Sequence, residues 1–383
     1  MRNLFVRIPL VALLCTVLSG QGARAAPMPN GGKVKLTNAP LTAPNAVLSR
    51  PDASGVRLLN DIVFAGKQLQ FPSDSEAVEY AIAGSTLKFQ IADNQTFALV
   101  HNGRQGLLQR DQSGFRPVKL KLDQNRVYTL AFPYGYVTQM MLGVGQAQRT
   151  QGLLMLRSGS GQYFTLDGQS FCLFDSNADG YYRLSEDAIG SGRSGASCSV
   201  FAPIGRLLAT SKNVYQINSI AEDGSTLDYA PYTGATGKLA VNLANSDLEI
   251  GAAFGSSDGA LNFAAPFSRT RAHDLKVAAG KYSLLYGLAY SPGHRKIVAS
   301  VGSGKLAAAD VSADQSQKLT LGGPFDLEFA LQTGGRQMTI SSSSFHLRGK
   351  NGEEYANFQW DAEPEIGLAV NGNLRSLGKM AFG

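Results

Sequence analysis

Along much of the chain, apolar and polar residues alternate with a period of two. Leu87, Phe89 and Ile91 are separated by Lys88 and Gln90, and Val118, Leu120 and Leu122 by Lys119 and Lys121. Phe325, Leu327, Phe329 and Leu331 repeat the pattern around Asp326 and Glu328. Successive side chains of a strand point to opposite faces, so this alternation predicts half-buried strands. The punctuation agrees: Asn102-Gly103, Asp167-Gly168, Asp223-Gly224, Asp258-Gly259, Asn351-Gly352 and Asn371-Gly372 are dipeptides suited to two-residue hairpin turns. Helical periodicity is almost absent, with short helical turns expected only over 74–81 and 185–189. The pattern predicts a mostly β protein of antiparallel sheets with very little helix, and argues against a parallel α/β fold.

The ends of the chain read differently. Residues 1–25 carry a basic start (Arg2, Arg7), an apolar run from Ile8 to Leu18 and the small-residue end Ala23-Arg24-Ala25. This is the form of a secretory signal peptide, and its run is far short of the roughly 20 apolar residues that cross a bilayer. The expected location is therefore periplasmic or extracellular, with no membrane span. Lipidation at Cys15 is disfavoured because Leu14 stands where that signal asks for a small residue. Residues 26–52, with Pro27, Pro29, Pro40, Pro44 and Pro51, predict an extended leader with at most one short strand at Val34-Lys35-Leu36. Three β units are expected to follow: 53–150, 151–240 and 241–383. The last resembles the β-sandwich modules of exported proteins at Leu275 to Leu284, where a strand, a Gly turn and a Tyr-bearing strand follow one another.

Composition narrows the partners. With 383 residues, 44 % hydrophobic and 17 % charged, the chain is neither disordered nor fibrous. Its formal charge is +6, but Arg2, Arg7 and Arg24 leave with the signal peptide, and 32 basic against 29 acidic residues give +3. A charge that small argues against nucleic acid as a partner. Removing Cys15 leaves Cys172 and Cys198, an even count in an oxidising compartment, so a disulfide is expected. Closing that loop would remove roughly 3.5 kcal/mol of unfolded-state entropy on the chain-entropy model.

The most specific chemistry lies inside that loop. Residues 175–186 read Asp-Ser-Asn-Ala-Asp-Gly-Tyr-Tyr-Arg-Leu-Ser-Glu and match D-x-[DN]-x-[DN]-G-x5-E at every specified position. The segment resembles the calcium loop of the EF-hand family. That resemblance implies side-chain oxygens from Asp175, Asn177 and Asp179, the carbonyl of Tyr181, and a bidentate Glu186, with Gly180 at the sharp turn. Two features depart from the family: Gln162 to Phe174 read as two strands instead of an incoming helix, and Arg183 puts a cation at position 9. Calcium affinity in the weak extracellular range follows, about 10⁻⁴ to 10⁻³ M. An ion-free Asx-rich turn fits the same residues. The surrounding segments, with Val214 to Ile217 and Asp223 to Gly234, also resemble exported bacterial β proteins to which no activity is attached.

Other motifs lack their context. Gly255-Ser256-Ser257-Asp258-Gly259 has the spacing of a nucleophile elbow but reads as an Asp-Gly hairpin, and Gly190 to Gly195 lacks the leading buried strand of a dinucleotide site. His101, His273, His294 and His346 are isolated in sequence. Exposed Tyr-rich loops are expected at Tyr134, Tyr136, Tyr181, Tyr182, Tyr229 and Tyr232, and Trp360 in a core. The expected function is an exported calcium-binding β protein with a binding or structural role, its partner a protein or polysaccharide. A carbohydrate-binding or adhesive protein, or a hydrolase with scattered carboxylates, are the alternatives.

Overall fold

The computed structural model describes residues 31–40, 67–73, 76–93, 96–111, 114–122, 126–141, 148–192, 201–244, 248–267, 273–290, 297–334, 337–341, 344–356, 365–370 and 373–379. Strands dominate and no α-helix occurs among these residues. The chain is therefore mostly β, with several antiparallel sheets. No helix among them is long and apolar enough to cross a membrane. The signal-peptide segment, Cys198, His294, Trp360 and the Asn371-Gly372 turn lie outside the described residues.

The N-terminal unit packs two antiparallel sheets face to face. One runs Val78–Ile82, Ser85–Ile91, Phe97–His101 and Arg104–Leu107. The other is built on the long strand Val127–Met141, flanked by Gly114–Lys121 and Gln148–Ser158. Alternation places Leu87, Phe89, Leu130, Phe132 and Leu154 in one shared core. The expected helical turn over 74–81 is instead the strand Val78–Ile82: Tyr80 and Ile82 are buried while Glu79 and Ala81 are exposed, a period of two. It turns through Ala83-Gly84, both at positive φ, so the hairpin lacks the Asn or Asp that usually advertises it.

The chain passes to the middle unit at Gly159, where a Cβ would lie 2.8 Å from Thr129 Cγ2. One middle sheet contains Ser160–Leu166, Gln169–Phe174 and Ala188–Gly192, so 188–189 is strand and not helix. The other contains Leu207–Ala209, Val214–Ile220 and Thr226–Pro231. The leader supplies an edge strand to each. Gly32–Lys35 pairs antiparallel with Thr226–Pro231, and Thr37–Pro40 with Ser160–Leu166. Between them Leu36 is buried in the middle core with Phe164, Leu173 and Leu227. Edge positions tolerate Pro and Gly, which explains how a leader-like composition forms strands. Asp167, at the tip of a two-residue turn, accepts bonds from Thr210 Oγ1 (2.7 Å), Tyr215 Oη (2.8 Å) and Asn213 Nδ2 (3.0 Å), which lock the two sheets together.

The C-terminal unit is a second sandwich. Thr236–Leu243 lies between antiparallel His273–Ala278 and parallel Ser316–Leu321, a parallel strand pair where most of the described pairs are antiparallel. The strand Thr236–Leu243 runs through residue 240, beside the expected boundary. The facing sheet centres on Glu249–Ser256 and Gly280–Tyr290. Leu239, Val241, Phe254, Tyr282 and Leu321 fill its core, which Leu207, Ala209 and Val214 of the middle unit also enter.

Candidate functional site

The loop that follows the strand Gln169–Phe174 leaves the middle unit and packs against the N-terminal one. Its first residue, Asp175, is fully buried. One carboxylate oxygen, Oδ2, accepts the hydroxyl of Tyr128 at 2.7 Å and the amide of Gly180 at 2.8 Å. The other, Oδ1, is buried with no hydrogen-bond partner. Asn177 Oδ1 accepts the amide of Asp179 at 3.0 Å, and Asp179 Oδ1 accepts that of Tyr181 at 2.8 Å. Each short side chain thus turns the backbone by bonding two residues ahead.

The loop is held from outside as well. Tyr80 donates its hydroxyl toward the carbonyls of Asn177 (2.9 Å) and Ala178 (2.7 Å), and the amide of Ala83 donates to the carbonyl of Asp179 at 2.7 Å. Ala178 is fully buried and belongs to the N-terminal core. Gly180 sits at φ +83°, and a Cβ there would lie 2.9 Å from Ala83 Cβ and 3.0 Å from Ile82 Cγ1. Only glycine meets both the turn and the contact. Burial, followed by the charge of Asp175, raises the hydroxyls of Tyr80, Tyr128 and Tyr182 above the ordinary phenol range, so all three remain protonated.

Glu186 is half-exposed and its Oε2 meets Arg183 Nη1 at 3.1 Å. The carboxylate that closes the loop is its neighbour Asp187, whose Oδ1 accepts the amide of Ser176 at 2.8 Å and whose Oδ2 accepts that of Arg183 at 2.8 Å. Asp187 therefore clamps both ends of the segment. Burial and then the charge of Asp175 push its carboxyl up to about 8, and burial first pushes Asp175 up to about 7. Among the described residues, no three His, Cys, Asp or Glu side chains are gathered as a metal-holding group. Of the expected ligands, the structure gives Asp175, Asn177, Asp179 and Tyr181 the turn geometry of the motif, with Glu186 drawn to Arg183. The donor set is nonetheless hard oxygen throughout, and the orphaned Oδ1 of Asp175 is an atom that a calcium ion would satisfy.

No known family model and no curated protein matches this chain.

Three residues of the site were not legible as such. Tyr80 and Tyr128 are distant in sequence and carry no motif, and Asp187 lies one residue beyond the pattern. Among the described residues Cys172 has no disulfide partner; it is fully buried beside Phe174 and Phe201, and its expected partner Cys198 lies outside the described residues. The expected hairpin at Asp258-Gly259 is present, with Ser256 Oγ donating to Asp258 Oδ1 at 2.6 Å. Of the tyrosines expected on exposed loops, Tyr182 is buried and Tyr229 packs edge-on against Tyr215, whereas Tyr136 is exposed.

Proposed function

We propose that this is an exported, calcium-binding multidomain β protein with a binding or structural role, in which the loop from Asp175 to Asp187 takes the ion at the junction of the N-terminal and middle units. The observation that carries the reading is the unpartnered, fully buried Oδ1 of Asp175 inside a loop with the required oxygen spacing. Leaving such an oxygen unbonded costs about 1–3 kcal/mol or more, and a divalent cation offsets that cost. Binding there would stiffen the contact made by Tyr80, Tyr128 and Ala83. Asp179, Asn177 and the Tyr181 carbonyl complete the nearer part of the ligand set, with Glu186 joining on binding. A disulfide from Cys172 to Cys198 would enclose the loop and lower the cost of ordering it.

Calorimetric titration of calcium into chelator-treated protein tests the reading. Saturable binding near one ion per chain, lost in Asp175→Asn, is expected; no heat and no melting shift at millimolar calcium would reduce the segment to an Asx turn.

One observation favours the carbohydrate-binding alternative. A groove of about 490 Å³ beside the loop is lined by Leu36, Lys119, Arg126, Val127, Gln162 and Asp223 among others, a mixed polar and apolar set of a size that takes a small saccharide. For the hydrolase alternative, the adjacent carboxylates Asp175 and Asp187 are both buried rather than facing an open cleft, which lends that reading no support.

A further inference from the structure

We infer that Arg183 is a built-in counter-cation of the loop, one that holds Asp179 and Glu186 while calcium is absent and must leave them for calcium to bind. The inference rests on the calcium reading above. A single nitrogen, Arg183 Nη1, lies 2.7 Å from Asp179 Oδ2 and 3.1 Å from Glu186 Oε2. These are the side chains at loop positions 5 and 12, and position 12 is where the motif needs its bidentate ligand. A calcium ion sits 2.3–2.6 Å from its oxygens, so an ion held by these two carboxylates competes with the guanidinium for them and is repelled by its charge. A guanidinium does not lose its proton in a protein, so the exchange is cation for cation.

The surroundings hold the guanidinium in place yet allow it to leave. The Tyr181 ring lies under it, with 4.7 Å from Arg183 Cζ to the ring centroid. The amide of Arg183 is tied to Asp187 Oδ2, which fixes the backbone whatever the side chain does. The side chain itself is 38 % exposed, so it can swing into water without opening the core. Asp175 lies beyond its reach in bonding terms, tied instead to Tyr128 and Gly180. Arg183 therefore satisfies the outer carboxylates and leaves the inner one, the orphaned Oδ1 of Asp175, for the ion. A loop built this way keeps its shape at low calcium and exchanges cations only when calcium is plentiful.

The test is calorimetric titration of calcium chloride into the chelator-treated parent, R183Q, R183K and R126Q, with melting measured in chelator. Arg126 is the control, because its guanidinium lies 5.6 Å from the same Tyr181 ring and makes no ion pair with the loop carboxylates. R183Q is expected to bind calcium about tenfold tighter than the parent and to melt lower without it. R183K keeps the charge but loses the planar fork, and is expected to bind several-fold tighter than the parent; it decides the matter should R183Q fail to fold. R126Q is expected within about twofold of the parent. Equal saturable binding by the parent and the Arg183 variants would overturn the inference and leave the calcium reading standing, as would an equal gain in R126Q. Absence of binding in the parent and every variant would overturn both.

Discussion

The hydroxyl of Tyr128 donates to Asp175 Oδ2 at 2.7 Å, and this one bond joins the longest strand of the N-terminal unit to the first residue of the middle unit's acidic loop. Both groups are buried, and Asp175 has its other oxygen unbonded. Removing the donor leaves the carboxylate with backbone amides alone. Tyr128→Phe is therefore expected to cost about 1.5–3 kcal/mol in urea unfolding. A loss below about 0.5 kcal/mol would mean that the bond does not couple the two units.

Gly180 tests how closely the loop docks. Its φ of +83° and the 2.9 Å approach of Ala83 Cβ both oppose a side chain, so Gly180→Ala combines a left-handed backbone cost with overpacking, about 2–4 kcal/mol together. Gly103 is the comparison, at φ +70° with nothing within 4 Å of an added Cβ. Gly103→Ala should cost only about 1–2 kcal/mol. Equal losses at the two glycines, measured by thermal melting, would show that the loop is not seated against Ile82 and Ala83.

The period-two pattern revealed the fold class because alternate burial leaves the same trace in many strands; Leu87, Phe89 and Ile91 are buried as their spacing predicts, whereas Phe325, Leu327, Phe329 and Leu331, with the same spacing around the short strand Asp326–Glu328, are exposed. The hairpins at Asn102-Gly103 and Asp167-Gly168 were legible for a related reason, since both residues of each pair adopt positive φ. The hairpin at Ala83-Gly84 was not, because alanine carries no local preference for the conformation that tertiary packing imposes on it. In the site, the motif located Asp175, Asn177, Asp179 and Gly180 by turn chemistry that is local in sequence. Tyr80 and Tyr128 enter through sheet packing, and contacts 47 and 98 residues apart along the chain leave no periodic trace. Arg183 was visible as an oddity at position 9, but its bonds to Asp179 and Glu186 depend on where the side chain goes.

The leader gives a prediction that separates composition from packing. Leu36 is 6 % exposed and lies between two edge strands, in contact with the middle core. Leu36→Ala is expected to cost about 2–3 kcal/mol, whereas the same change in a solvated linker would cost nothing. An unchanged denaturation midpoint would detach residues 32–40 from the middle unit.

Acid and base should act on the loop in a direction fixed by Asp175 and Asp187. An unfolded carboxyl ionises near 3.9, whereas burial pushes these two up to about 7 and about 8 in the folded protein. Between roughly pH 4 and 8 the native state keeps protons that the unfolded chain has released, so stability falls as pH rises through that window. Their contribution is fully present below about pH 4 and lost above about pH 8. A divalent cation beside Asp175 favours the ionised forms and opposes the decline. Melting temperature in chelator is therefore expected to fall from pH 5 to 8.5, with the fall reduced by millimolar calcium and also by Asp187→Asn. A melting temperature that rises with pH over this range in chelator would show that neither carboxyl holds its proton in the folded protein, and the electrostatic demand for a cation at Asp175 would go with it.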